Sequence, residues 1–360
     1  MKPKKRPGRE SKLATLADVA ERAGVSPMTV SRVINGDTRV QSRNRDKVNE
    51  AIAALQYMPN QAARRLAGAE LIRIAVLYSN PSACYLNEFL VGLLNQASLS
   101  HVQLVVEKCE AGEHEGEVAS NLIDNGIDGI ILPPPFCDSA RLLDLVSESS
   151  TPTVAIACGL PDKRVSAISI DDFHAAFEMT RHLIGLGHLR IGFIIGHPNQ
   201  TASARRLAGF RSAMSEAGLQ VPDELISQGM FNYRSGLDAA EILLGLEQRP
   251  TAIFASNDDM AAATVAIAHR LGLDVPSDLT VAGFDDSSLA TTIWPELTTV
   301  HQPISDMAGA AVELLVGQIR ARREGVPDAS KHVLMDYSLI RRQSDAAPRL
   351  RPPVRIASLG

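Results

Sequence analysis

The run Ala23-Gly24-Val25-Ser26-Pro27 constrains residues 1–70 more tightly than any other stretch. Glycine accepts the left-handed conformation that ends a helix. Serine caps a following helix, and proline suits its first position because the missing N–H costs nothing there. Upstream, Thr15 is placed to cap a first helix, with Asp18 in capping-box position. Leu16, Val19, Ala20 and Ala23 give that helix one apolar face. Downstream, Met28-Thr29-Val30-Ser31-Arg32-Val33-Ile34-Asn35 carries the second helix. Two short helices meeting at so tight a corner form a helix-turn-helix, which lays its second helix in a DNA groove; an ordinary helical hairpin is the plainer alternative. Ser42 is expected to cap a third helix that closes the core with Val48, Ile52 and Leu55.

Beyond Tyr57-Met58-Pro59, Asn60 reads as an N-cap and Gly68 as a stop, with Gln61-Ala62-Ala63-Arg64-Arg65-Leu66-Ala67 between them. A helix of about two turns is marginal alone in water. It is expected to order only against a partner chain and DNA.

Charge separates this front end from the rest. Residues 1–70 hold 14 Lys+Arg against 7 Asp+Glu, a net of +7, while the remainder holds 22 against 34, a net of −12. A basic module on an acidic body points to a polyanion partner for the module alone. Cys84, Cys109, Cys137 and Cys158 lack the close paired spacing of zinc ligands or a disulfide frame, and are expected to be core residues in a reducing compartment. No run approaches the ~18 apolar residues of a membrane span, and the basic start lacks the apolar stretch of a signal peptide. The expected location is therefore cytoplasmic and nucleoid-associated, with no membrane partner.

From Leu71 onward short apolar runs alternate with amphipathic segments. Gly129–Leu132, Thr153–Ile156, Arg190–Ile195 and Thr251–Ala255 read as buried strands; Glu88–Leu99, Phe173–Gly187 and Asp258–Leu271 read as helices. Such alternation implies parallel sheets covered on both faces, with ligands beyond the carboxyl ends of the strands.

The stretch Thr15 to Gly68, and most of the chain after it, closely resembles the LacI/GalR family of bacterial transcription regulators. The resemblance implies a small all-α helix-turn-helix headpiece joined to an α/β, periplasmic-binding-protein-like body of two doubly wound parallel-sheet subdomains. The implied organisation is a disordered basic arm (1–12), the headpiece (13–58), a hinge helix and linker (59–70) and the body (71–342). Within the body the subdomains are expected at about 71–168 plus 296–325 and 169–295 plus 326–342, with crossings near Ser169–Asp172, near Thr291–Pro295 and after Arg323. Residues 343–360 are rich in proline, lack an apolar heptad and are expected to be a disordered tail, so a homodimer is anticipated.

On the second helix, Pro27, Met28 and Arg32 are expected to face base edges. Arg32 suits a bidentate pair with guanine and the other two suit a thymine methyl. Thr29, Ser31 and Asn35 are expected on phosphates, setting register. By resemblance Thr15 and Tyr57 join the DNA-binding set. Leu66 is the hinge residue wedged into the minor groove of a palindromic operator, with Asn60, Ala63 and Arg64 beside it. For the effector cleft the resemblance supplies Arg206, Asn257 and Asp285, with aromatic walls from Tyr85, Phe136 and Phe231, Trp294 near a crossing, and Gln302 at the floor. Arginine and aspartate facing each other suit vicinal hydroxyls, so a carbohydrate effector is expected; a purine or nucleoside corepressor is the alternative. Pro133 and Ala157 or Cys158 stand where family members hold polar residues, which leaves one wall poorer in hydrogen bonds.

His182 and His188 do not share a metal-ligand spacing, and neither metal nor cofactor is implied. Gly185-Leu186-Gly187 precedes a strand, so it is no dinucleotide fingerprint; a P-loop and a Gly-x-Ser-x-Gly elbow are both missing. A nucleotide-using enzyme is therefore disfavoured, and so is a transport-type sugar-binding protein, given the basic headpiece.

Overall fold

A computed structural model describes residues 14–34, 40–55, 71–110, 112, 114–326 and 329–349. They fall into two compact units divided at Leu71 and Ile72. In the first unit α1 (Leu16–Ala23), α2 (Pro27–Ile34) and α3 (Ser42–Leu55) enclose a small core. Thr15 and Asp18 form the reciprocal capping box, with the Asp18 N–H donating to Thr15 Oγ1 at 3.3 Å and the Thr15 N–H to Asp18 Oδ2 at 2.7 Å. Gly24 ends α1 at φ 65°, a conformation that would strain any residue with a Cβ. The Thr29 N–H donates to Ser26 Oγ at 3.2 Å, so the serine does cap α2. Val19, Ala20, Val30, Val48 and Ala51 are buried together, with Leu16, Val33, Ile52 and Leu55 packed around them. Ser42 is the first residue of α3, not its cap; the carbonyl of Gln41 accepts the opening bonds.

The second unit holds two six-stranded sheets. The first contains β1 (Arg73–Tyr78), β2 (Gln103–Lys108), β3 (Gly129–Leu132), β4 (Thr153–Ile156), β5 (Ser166–Ser169) and β11 (His332–Leu334), in the order β11-β5-β4-β3-β1-β2. The second contains β6 (Ile191–Ile195), β7 (Ile226–Gln228), β8 (Ala252–Ala255), β9 (Thr280–Asp285), β10 (Thr298–His301) and β12 (Ser338–Ile340), in the order β12-β10-β9-β8-β6-β7. Every pairing is parallel except β10 with β12. Apolar residues dominate β3, β4 and β8, and every residue of the three strands is buried, as strands covered on both faces require.

Helices α4 (Ala83–Ser100), α5 (Glu115–Asp124), α6 (Ala140–Glu148) and α12 (Ile304–Arg323) flank the first sheet. The second is flanked by α7 (Asp172–Gly185), α8 (Thr201–Glu216), α9 (Tyr233–Leu244) and α10 (Asp258–Arg270), with the short α11 (Ser288–Thr292) after β9. Two helical glycines set the closest packing. A Cβ on Gly92 of α4 would lie 2.2 Å from the Ser305 carbonyl oxygen of α12, and one on Gly209 of α8 would lie 2.1 Å from that of Phe173.

The expected subdomain boundaries need correction. β10 belongs to the second sheet, so the chain returns to the first subdomain at Gln302–Pro303 and not near Thr291–Pro295. β11 pairs with β5, which places residues 332–334 in the first subdomain. Nor is the segment after 342 free. Ser344 Oγ donates to the Val281 carbonyl at 2.6 Å, Asp345 accepts from Thr298 Oγ1 at 2.7 Å, and Ser344 and Asp345 are buried. Polar residues can leave water when each finds a partner, which an apolar pattern does not reveal. Leu350–Gly360 lie outside the described residues. Among the described residues no helix is long and apolar enough to cross a membrane.

Candidate functional site

The headpiece and the body each carry a surface of interest. On α2 the apolar side (Val30, Val33) packs inward, which turns Pro27, Met28 and Arg32 outward. Met28 is 65% exposed, a high value for so apolar a side chain in a module this small. Thr29 and Ser31 are half-buried, and Thr29 Oγ1 lies 2.9 Å from Ser26 Oγ. Thr15 is engaged in its capping box. Asn35, Tyr57, Asn60, Ala63, Arg64 and Leu66 lie outside the described residues.

In the body, β1 and β3 part on the first sheet, and β6 and β8 on the second, to adjoin strands of later order. These are topological switch points, where the loops beyond the carboxyl ends diverge and leave a crevice. A cleft lies there, lined from the first subdomain by Asn80, Pro81, Ser82, Tyr85, Pro134 and Ala157. The second supplies Gln200, Ala202, Arg206, Phe231, Asn257 and Asp285, and Gln302 forms part of the lining at the crossing.

Arg206 organises the polar wall. Its Nε donates to Asp172 Oδ1 at 2.7 Å and its Nη1 to the Ser256 carbonyl at 2.6 Å, while Asp285 Oδ1 lies 3.8 Å from Nη1. The guanidinium stacks 3.6 Å from the Phe284 ring centroid and 5.7 Å from that of Phe231. One cation therefore serves two buried carboxyls. Burial pushes both Asp172 and Asp285 above the ordinary carboxylate range, and Arg206 opposes the rise in each. Asp285 sits at φ 108°, a strained conformation that lifts its side chain off the end of β9. Gln302 Nε2 donates to Asp285 Oδ1 at 2.7 Å. Its Oε1 is then buried without a hydrogen-bond partner among the described residues.

Asn257 lines the cleft, but its amide is committed: Oδ1 caps α10 through Met260 N at 3.0 Å, and Nδ2 donates to the Phe231 carbonyl at 3.1 Å. Tyr85 is buried, and burial followed by the Asp285 charge raises its hydroxyl well above the usual range.

Six of the seven expected effector residues thus share one cleft: Tyr85, Arg206, Phe231, Asn257, Asp285 and Gln302. Phe136 does not. It is fully buried in the core of the first subdomain beside Cys137 and Leu142, where a large apolar side chain is shielded from water, and Pro134 lines the cleft in its stead. Trp294 is 75% exposed and away from the lining. Ser82, Gln200 and Asp172 escaped the sequence reading. Each is an ordinary polar residue near a helix start, and only its distant partners give it meaning.

A sequence-reading headpiece joined to a hinged ligand-binding body defines a class: DNA-binding transcriptional regulators. Residues 15–60 match the family model "Bacterial regulatory proteins, lacI family", and residues 180–344 match the periplasmic binding protein-like domain. Catabolite control protein A of Priestia megaterium is 34% identical over 84% of this chain and 91% of its own length. The regulator DegA of Bacillus subtilis (strain 168) is 35% identical over 92% of this chain and 97% of its own. The solved complex of the transcriptional regulator CelR with cellobiose superposes with a TM-score of 0.71 at 30% identity, covering 92% of this chain and 99% of that one. The chain belongs to the LacI family of bacterial transcriptional regulators; it is a DNA-binding regulator and not an enzyme.

Proposed function

We propose that this regulator is a dimeric cytoplasmic repressor whose hold on a palindromic operator is controlled by a carbohydrate or sugar derivative in the body's cleft. The observation that carries the ligand class is the pairing of Gln302 and Asp285. Gln302 Oε1 is a buried acceptor with no donor among the described residues, and Asp285 beside it shares the Arg206 cation with Asp172. Adjacent hydroxyls supply donors to both, while a sugar's C–H face suits the rings of Phe231 and Tyr85. The CelR relative, solved with cellobiose, supports this class. Tyr85, Arg206, Phe231, Asn257, Asp285 and Gln302 form the effector site in this reading.

On the headpiece, Pro27, Met28 and Arg32 read bases, and Thr29 and Ser31 set register on phosphates. Leu66, between Ala63 and Arg64 on one side and Ala67 on the other, wedges the minor groove. Exposed Val91, Leu94 and Leu99 along α4, with Trp294 on the other subdomain, supply the apolar surface that a second copy would cover. Effector binding shifts the subdomains, and the paired hinges transmit the shift to DNA.

Operator affinity titrated with and without cellobiose, other sugars and nucleobases tests this reading. A coupling of about 1–3 kcal/mol is expected from one sugar, with the operator changing that sugar's affinity by the same factor. A response confined to nucleobases selects the purine alternative. Equal operator affinity under every ligand rejects control through this cleft.

A further inference from the structure

The two halves of the body meet around the cleft through three carboxylates, each reaching a helix start of the opposite half. Asp138, in the turn Phe136–Asp138 of the first subdomain, accepts from Thr201 of α8 twice: Oδ2 from the backbone N–H at 2.9 Å and Oδ1 from Oγ1 at 2.7 Å. Thr201 Oγ1 also accepts the Leu160 N–H at 3.1 Å. Asp259 of α10 accepts from Oγ of Ser82, the N-cap of α4, at 2.6 Å. Glu88 of α4 accepts the N–H of Ser288, the first residue of α11, at 3.1 Å.

The repetition has a physical basis. First-turn N–H groups have no acceptor within their own helix, and the partial positive charge there favours an anion. Thr201 and Ser288 would otherwise turn to water, and each instead finds a carboxylate across the cleft. Burial raises Asp138, Asp259 and Glu88 above their ordinary range, and the bonds from Thr201, Ser82 and Ser288 oppose that rise. Separating the halves would take those compensating bonds away. Close approach at Gly159 supports the same seam: a Cβ there would lie 2.6 Å from the Ala202 backbone nitrogen.

We propose that Asp138, Asp259 and Glu88 are positioning residues that clasp the two subdomains as one cooperative unit and thereby set the spacing of the effector-site walls. Asp138 and Glu88 do not line the cleft, so they act through its geometry and not through ligand contact. The proposal rests on the cleft being the effector site, but its test uses neither effector nor DNA. Failure of the clasp is therefore distinguishable from failure of the ligand reading.

The test is amide hydrogen exchange on the full chain, followed at Thr201 and Ser288. With Asp138→Ala, the amide of Thr201 loses its acceptor, and a cooperative clasp also speeds exchange at Ser288, each by about tenfold. Glu88→Ala is expected to expose Thr201 in the same way. Asp138→Asn, which keeps one acceptor for Thr201, restores part of the protection at both positions. Ile253 and Val281, in central strands β8 and β9, should exchange as in the parent. Faster exchange only at the amide whose own partner was removed overturns the proposal. So does a general loss that includes Ile253 and Val281, since it marks unfolding and not unclasping.

Discussion

The two subdomains share a strand order and differ in what they present to the cleft. Both run 2-1-3-4-5 in local strand order, and both add a late strand at the far edge, parallel in the first and antiparallel in the second. The first offers Asn80, Ser82 and Tyr85 beside Pro81, Pro134 and Ala157, a wall with amide and hydroxyl groups but no charge. The second offers Arg206 between Asp172 and Asp285, charge that is already desolvated and cross-braced. The same scaffold thus supports two kinds of surface, because the strand-end loops are free to vary while the strands are not. The charged wall is costly to disturb, since each member compensates another; the uncharged wall should tolerate exchange.

Arg206→Ala breaks the contrast hardest. It leaves Asp172 and Asp285 buried without their cation, and removing one partner from such a cluster typically costs about 3–5 kcal/mol. Urea unfolding of the full chain should show a loss of that order, together with loss of effector response. Arg206→Lys should recover little, because a lysine cannot reach both Asp172 and the Ser256 carbonyl in the guanidinium's planar geometry. A loss below about 1 kcal/mol for the alanine variant would mean that the two walls are energetically alike.

The second-ranking effect lies in pH. Asp258, at the start of α10, accepts from Thr299 Oγ1 at 2.7 Å and from the Ser287 N–H at 2.7 Å. Burial nevertheless pushes it from an ordinary 3.8 up to about 7, with the Asp286 charge adding to the rise. The folded chain therefore holds this proton more tightly than the unfolded chain does. The stability that Asp258 contributes is greatest below about pH 4 and is lost as pH rises to about 7. Asp258→Asn should flatten the fall in urea midpoint between about pH 4 and pH 7, whatever its effect on absolute stability. An unchanged slope would move the titration to the other carboxyls that burial raises, Asp172 and Asp285 in the same wall or Asp138, Asp259 and Glu88 at the seam.

Legibility in the sequence followed the range of the interactions. Thr15, Asp18, Gly24 and Ser26 were readable because their partners lie within a few residues. Arg206, Asn257 and Asp285 were readable through the family resemblance; Asn257 and Asp285 stand at strand ends, whereas Arg206 lies within α8. Phe136 misled because an aromatic residue after a strand looks the same whether it turns to the cleft or to the core. Asp172 was read only as a crossing point, since its partner Arg206 stands 34 positions away. The late strands β11 and β12 have three residues each, too few to show a period, and their pairing redrew the subdomain boundaries. Ser344 and Asp345 looked like a loose tail because polar burial is written in partners such as Thr298 and Val281, not in the segment itself.

Ala157 gives the smallest effect and sharpens the comparison from the uncharged side. It sits at φ 55°, in the left-handed region that disfavours a side chain by roughly 1–2 kcal/mol. Ala157→Gly removes that strain and returns roughly 0.4–1 kcal/mol through the freer unfolded chain. The expected outcome is a gain of about 1 kcal/mol or less in urea unfolding, reduced further because the alanine methyl would no longer pack in the core. Because Ala157 holds no charge and braces no neighbour, the pH slope set by Asp258 should not move. A pH slope altered by this glycine would show that the two walls are coupled through the cleft, and the contrast between a braced half and a tolerant half would have to be abandoned.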